Sequence, residues 1–331
     1  MKKLVIFLGI LIVISLIAFV FNAVFLKEKS IASGVFYIKR GENVLQISAN
    51  LKNQGYITNQ LSFVYQTIIS RNFKKLKSGK YQIKEGQKYN ELINKFSLGQ
   101  ILPSEISIIP GKTIKDIANV LSSAYLFKRD DFLNKALYPD KNVLDKFVFL
   151  SDKPEGEGLE GYLFPDNYLV DSSGNIDDLQ IQILSNFNNK LTQDLRDEIK
   201  GQNRTIFEIV TMASMLEKEV KSYKDKQIVS GILWKRADNH LPLQVDSTLL
   251  YFQTSLHPSV LEKDVDSEYN TYKYAGLPKG PICNPSLESI KAAIYSENTE
   301  YWFYLSAPSG QTIYAKTLGQ HLINKAKYLS N

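Results

Sequence analysis

From Leu4 to Leu26 the chain carries no charged residue, directly behind Lys2 and Lys3. The run is long enough for a tilted helix across a bilayer, which takes about 20 residues. It exceeds the roughly 7–15-residue apolar core of a signal peptide. No small-x-small cleavage site follows, because Asn22-Ala23-Val24 leads straight into Phe25-Leu26-Lys27. The two leading lysines favour a cytoplasmic amino terminus. The expectation is a cytoplasmic tail at 1–3, a retained transmembrane helix at 4–26, and everything later outside the cytoplasm at the plasma (inner) membrane. A long cleaved signal is the alternative. Whatever folds beyond the run folds without an internal disulfide, since Cys283 is the single cysteine.

Charge divides the rest. Residues 27–100 hold 13 Lys/Arg against 4 Asp/Glu, and residues 101–331 hold 25 against 30, within a net charge of +6. A basic part beside an anchor can rest on anionic headgroups, and solvation of a lysine-rich surface explains the same balance. With this topology nucleic acid is not an expected partner.

The first half repeats a small unit. Ile38, Gly41, Val44, Ile47 and Leu51 have counterparts in Ile83, Gly86, Tyr89, Leu92 and Phe96, and again in Ile108, Gly111, Ile114, Ile117 and Leu121. Counted from each glycine, the apolar positions form one helix face, and the glycine supplies the strand-to-helix turn. The segment YIKRGENVLQISANLKNQGYI resembles the LysM-like modules that bind glycan chains of peptidoglycan, so a small LysM-like domain is expected at 35–104. An unrelated module of the same kind fits the pattern too.

A larger mixed domain is expected over 105–331, giving an α+β chain overall. Helices are expected over 176–199, 205–220, 225–237 and 287–295, with an aromatic hairpin joined through Ala307-Pro308-Ser309-Gly310. The helix at 205–220 opens with a capping box, Thr205 and Glu208. Ile206, Ile209, Val210, Ala213 and Val220 share one face, and Glu217 projects into the middle of it. Glu208, Lys218 and Glu219 point towards the opposite face. A carboxylate among aliphatic side chains loses hydration, so its pKa should rise, and an acid protonated near neutrality can donate to a leaving group. A structural carboxylate paired with a buried Lys or Arg would give the same pattern.

Several chemistries fall away. Pro110-Gly111-Lys112-Thr113 lacks the upstream glycine of a phosphate loop, with Ile106 in its place. His240, His257 and His321 are scattered, which disfavours a zinc site, and no Gly-x-Ser-x-Gly elbow occurs. Glu155, Glu157 and Glu160 match no calcium-loop spacing. No metal and no cofactor is expected. What remains is carboxylate, amide and aromatic, a set that suits sugars. Its candidates are Glu160, Tyr162 and Asp166 from LEGYLFPDNY, Glu217, Gln244 and Asp246 from LPLQVDSTLLY, and Asn270 and Tyr272 from YNTY. Asp166 can equally cap a turn, and Asp246 a short helix.

EGLEGYLFPDNY, TMASMLEKEV, LQVDSTLLY, YNTY and GLPKGPICNPS, in this order behind an apolar amino terminus, resemble the YceG-like family over nearly the whole chain. Ser247 stands where relatives commonly have proline, and Asn167 where they commonly have threonine. The resemblance implies a membrane-tethered endolytic lytic transglycosylase. Such an enzyme cuts between N-acetylmuramic acid and N-acetylglucosamine within nascent peptidoglycan and leaves 1,6-anhydro ends, which would terminate elongation beside cell-wall synthases. It gives Glu217, the first glutamate of LEKE, the position of the acid/base. Glu160, Tyr162, Asp166, Gln244, Asp246, Asn270 and Tyr272 would hold substrate or site. A hydrolytic muramidase and a non-catalytic peptidoglycan-binding scaffold are the competing readings.

Overall fold

The computed structural model describes residues 12–15, 28–124, 126–170, 174–253 and 263–329. The anchor expected at 4–26 lies outside them apart from 12–15, which are helical. Among the described residues no helix is long and apolar enough to cross a membrane.

The chain is mixed α and β with small sheets, and it divides into two compact units. The first comprises Met1–Glu105 with Ser123–Leu126 and Leu169–Asn175. It runs β1 (Gly34–Ile38), α1 (Val44–Asn53), α2 (Gln60–Ile69), β2 (Gly79–Ile83) and α3 (Tyr89–Leu98). β1 and β2 pair antiparallel, with Phe36 opposite Tyr81 and Ile38 opposite Gly79. Alternation along β1 sends Phe36 and Ile38 inward, onto Ile47 and Leu51 of α1, Phe63 of α2 and Leu92 and Phe96 of α3. The Tyr89 hydroxyl reaches out of this core to accept the Thr58 and Asn59 N–H groups, at 3.2 and 3.4 Å.

The three repeated glycines do what their spacing predicts. Gly41, Gly86 and Gly111 have φ of +85°, +76° and +79°, a region that side chains disfavour. Each lies between a strand and a helix: β1 and α1, β2 and α3, then β3 (Ser104–Ser107) and α4 (Ile114–Ser123).

The second unit holds Ile106–Ser122, Phe127–Tyr168 and Ile176–Asn331. After α4 come α5 (Arg129–Leu137), α6 (Lys141–Leu144), β4 (Asn167–Val170), α7 (Ile176–Lys190), α8 (Gln193–Gly201), α9 (Ile206–Glu219), α10 (Tyr223–Asp238), α11 (Asp246–Gln253) and α12 (Leu287–Ile294). The hairpin β5 (Phe303–Ser306) and β6 (Thr312–Ala315) and the helix α13 (Leu318–Tyr328) close the chain. The helix expected over 176–199 is two helices. Thr192 is extended between them, and the Arg196 guanidinium donates to Leu191 O and Asn188 O at the break.

Helix α9 is the axis of this unit. Its capping box is formed as expected, and Asp152 adds a carboxylate on the Ile206 N–H at 2.6 Å. Every residue from Ile209 to Leu216 is buried, because α8, α10, α11, α12 and the short turn Val148–Leu150 surround the helix. Over residues 209–216 the helix has no solvent face. In its last turn Lys218 is exposed, while Glu217 and Glu219, which project in nearly opposite directions, are both partly buried.

Candidate active site

The two glutamates end in contrasting surroundings. Glu217 meets the N-terminus of α12, where Ser286 is the N-cap. Its Oε2 accepts from the Ser286 N–H at 3.0 Å and from the Ser286 and Ser289 hydroxyls at 2.6 Å each. Lys226 Nζ of α10 lies 3.7 Å away, itself nearly buried. Burial by itself would push this acid up. The two hydroxyls, the N–H and Lys226 outweigh it, and the carboxyl is held below its ordinary value. This corrects the raised pKa expected from the apolar stripe: a helix N-terminus and a buried lysine favour the anion more than burial disfavours it.

Glu219 is the last residue of α9, and the chain turns extended at Val220. The Ser306 hydroxyl donates to the Glu219 carbonyl at 3.2 Å and closes the helix end. The side chain faces a cavity of about 530 Å³, lined also by Arg236, Gln244, Asp246, Tyr272, Tyr304 and His321. Burial raises the Glu219 acid, and the neighbouring Asp246 raises it further. The Tyr304 hydroxyl and the neighbouring Ser247 offset this only in part. A carboxylate at a helix C-terminus meets the negative end of the dipole, which also favours the neutral form. Two glutamates two positions apart are thus shifted in opposite directions, Glu217 down and Glu219 up.

The cavity gathers three of the expected site residues. Tyr272 donates its hydroxyl to Asp246, whose position opens α11. Gln244 sits beside them with φ +58°, its N–H on Thr271 O at 2.9 Å. Tyr304, from β5, donates to Glu219 Oε2 at 3.3 Å. Glu219, Arg236 and Tyr304 were absent from the sequence-based set.

The other candidates are engaged elsewhere. Tyr162 is fully buried against Phe149 and Phe187. Asp166 takes the Asn167 N–H at 2.9 Å and the Asn186 amide at 3.0 Å, which hold its carboxyl below the ordinary value. That is the turn-capping alternative. Asn270 is fully buried and uses both ends of its amide within its own loop: it donates to Lys263 O and Val265 O and accepts from the Tyr272 and Lys273 N–H groups.

Glu160 is a junction. It accepts from the Ile114 N–H at the start of α4, from Asn284 Nδ2 at 3.0 Å and from the Tyr251 hydroxyl at 3.2 Å. Burial is the main cause that lifts it, to about 7. A folded pKa above the unfolded one means that the folded state binds more protons from about pH 4.5 to 7. Stability is then full below that window and declines as pH rises through it. The shift is worth about 3 kcal/mol. Glu160→Gln, which keeps an acceptor for Ile114, is expected to flatten this part of the stability-against-pH curve, measured by denaturant unfolding between pH 4 and 8. An unchanged slope would remove Glu160 as its source.

A model of the YceG-like family matches residues 36–327. The chain is 29% identical to an endolytic murein transglycosylase of Bacillus subtilis, over 89% of this chain and 84% of that protein. It is 26% identical to an endolytic murein transglycosylase of Streptococcus pneumoniae, over 89% of this chain and 58% of that one. A crystallised yceG-like protein of Listeria monocytogenes shares 26% identity and a TM-score of 0.61, covering 88% of this chain and 98% of the other.

Proposed function

Because this chain belongs to the YceG-like family, we propose that it is an endolytic murein transglycosylase with Glu219 as its acid/base. The observation that carries the assignment is the raised acid of Glu219 in a cavity that also holds Gln244, Asp246 and Tyr272. Glu217, first in line by resemblance, serves here as the carboxylate that seats α12.

In the first step protonated Glu219 donates to the glycosidic oxygen as oxocarbenium character develops at the anomeric carbon. The carboxylate so formed then takes the proton of the muramic 6-hydroxyl, whose oxygen closes on the anomeric carbon. One side chain serves twice, since each step regenerates the form the other needs. Tyr272 and Gln244 offer polar groups to sugar hydroxyls and acetamides. Glu160, Tyr162, Asp166 and Asn270 are assigned to the support of the site.

The proposal keeps the anchor at 4–26, supported by the uncharged run, and with it an extracytoplasmic catalytic part near cell-wall synthases. It keeps a LysM-like reading of 35–104, supported by the strand–helix–helix–strand order of β1, α1, α2 and β2. One observation favours a second reading. Asp246 supplies a second carboxylate beside Glu219, as a hydrolytic muramidase would need. Mass spectrometry of products from un-crosslinked strands separates the two. Anhydro ends are expected, reducing ends would replace the transglycosylase by the hydrolase, and intact strands would leave a binding scaffold.

A further inference from the structure

Arg236 is committed to the cavity wall. It is 9% exposed. Nε and Nη2 donate to Pro242 O at 3.0 and 2.6 Å, and Nη1 donates to Trp302 O at 3.2 Å. Nη2 also donates to Gln244 Oε1 at 2.9 Å. A guanidinium has donors only, so the Gln244 atom that faces it is the oxygen and the amide NH2 is turned away. The Gln244 backbone is fixed as well, in a left-handed conformation that a side-chain-bearing residue adopts only where its surroundings impose it. Held at both ends, Gln244 lines the cavity with an amide NH2 that has no acceptor among the described residues.

Among the described residues Asp246 receives the Tyr272 hydroxyl and Glu219 receives Tyr304, and the one side-chain hydrogen bond of Gln244 is the one its oxygen accepts from Arg236. A locked donor discriminates between sugar substituents. A hydroxyl can turn to donate or accept, so it satisfies a donor or an acceptor alike. An acetamido carbonyl only accepts. The ammonium left when the acetyl group is removed only donates, and it would meet the Gln244 NH2 head-on.

We propose that Arg236 is a positioning residue that fixes Gln244 as a donor to the acetamido carbonyl of the sugar in this cavity, making the site selective for N-acetylated over de-N-acetylated strands. The selectivity deepens the transglycosylase reading and rests on it for the substrate class. An acetamido carbonyl gains the Gln244 hydrogen bond, whereas an ammonium sets donor against donor and gains none.

The test compares un-crosslinked strands with their chemically de-N-acetylated counterparts. Cleavage is followed with the wild type, and affinity with Glu219→Gln, each also in the presence of Gln244→Leu or Arg236→Lys. The wild-type background is expected to favour acetylated strands by roughly tenfold or more, as for a hydrogen bond lost from a prepared site. Both substitutions should bring that ratio close to unity. Lysine retains the charge but lacks the fork that reaches Pro242 and Gln244 together. An Arg236 that merely supported the fold would slow both substrates alike and leave the ratio untouched. Gln244→Leu alters an exposed side chain, so the test survives a poorly folded Arg236 variant. An unselective wild type overturns the proposal, as does an unchanged ratio in either variant. The lactyl carbonyl of muramic acid survives de-N-acetylation, so a ratio of unity in the wild type would also follow if Gln244 addressed that group instead. Should acetylated strands bind selectively yet remain intact, the transglycosylase reading falls and the selectivity stands.

Discussion

Glu219→Gln is expected to lower kcat for strand cleavage by about 10²–10⁴-fold, the range for loss of a positioned acid/base, without loss of folded protein. Glutamine still accepts from Tyr304, and it removes a carboxylate that burial and Asp246 both disfavour. What it cannot do is release a proton to the glycosidic oxygen or take one from the 6-hydroxyl. The pH dependence follows from the direction of the shift. The first step needs the acid form, and a raised pKa extends that form towards neutrality. The wild-type rate should fall as pH rises through the Glu219 pKa, and the residual rate of the variant should lack that limb. Time courses of anhydro-product formation from pH 4 to 8 measure both. A variant with wild-type kcat would end the assignment of Glu219.

Why the sequence pointed to the neighbouring glutamate is a matter of packing. Periodicity located α9 to within a residue at each end, found its capping box, and found the glycines that turn strand into helix, because all of these are local. The same wheel assumes that a helix has one covered face. Residues 209–216 are covered all round, and the continuous run of apolar and small residues from Ile209 to Leu216 was the signal for it. What sets the surroundings of Glu217 and Glu219 apart is which helix end each carboxylate meets. That depends on Ser286 and Ser289, about 70 positions away along the chain, and no spacing rule reaches so far. Asn270 and Asp166 carry the right chemistry for sugars but satisfy their own loops, and a motif does not say whether an amide is already taken. Helix α13 was legible in principle, since Leu318, Leu322 and Ile323 recur at helical spacing, yet none of its residues is buried.

Glu217→Ala is the counterpart experiment, with the effect expected in stability. The carboxylate closes the N-terminus of α12 through three hydrogen bonds and faces Lys226, whose side chain is 6% exposed against 12% for Glu217 itself. Removing one member of a buried pair leaves the other charge without its partner, at a cost of about 3–5 kcal/mol. For a domain of this size that lowers Tm by on the order of 10 °C. Glu288 holds Lys226 from its other side at 3.1 Å but is half-exposed, so it relieves only part of the cost. The pH signature runs opposite to that of Glu160. A folded pKa below the unfolded one contributes stability above about pH 4.5 that is lost as pH falls through the folded value, so wild type and variant should converge in acid. Adding Lys226→Met should restore part of the loss, since exchanging both members of a buried pair for apolar groups is far milder than breaking it. Thermal melts from pH 3 to 8 give all three comparisons, and kcat per folded molecule gives the fourth. If Glu217→Ala melted like the wild type while its kcat collapsed, the roles of the two glutamates would have to be exchanged.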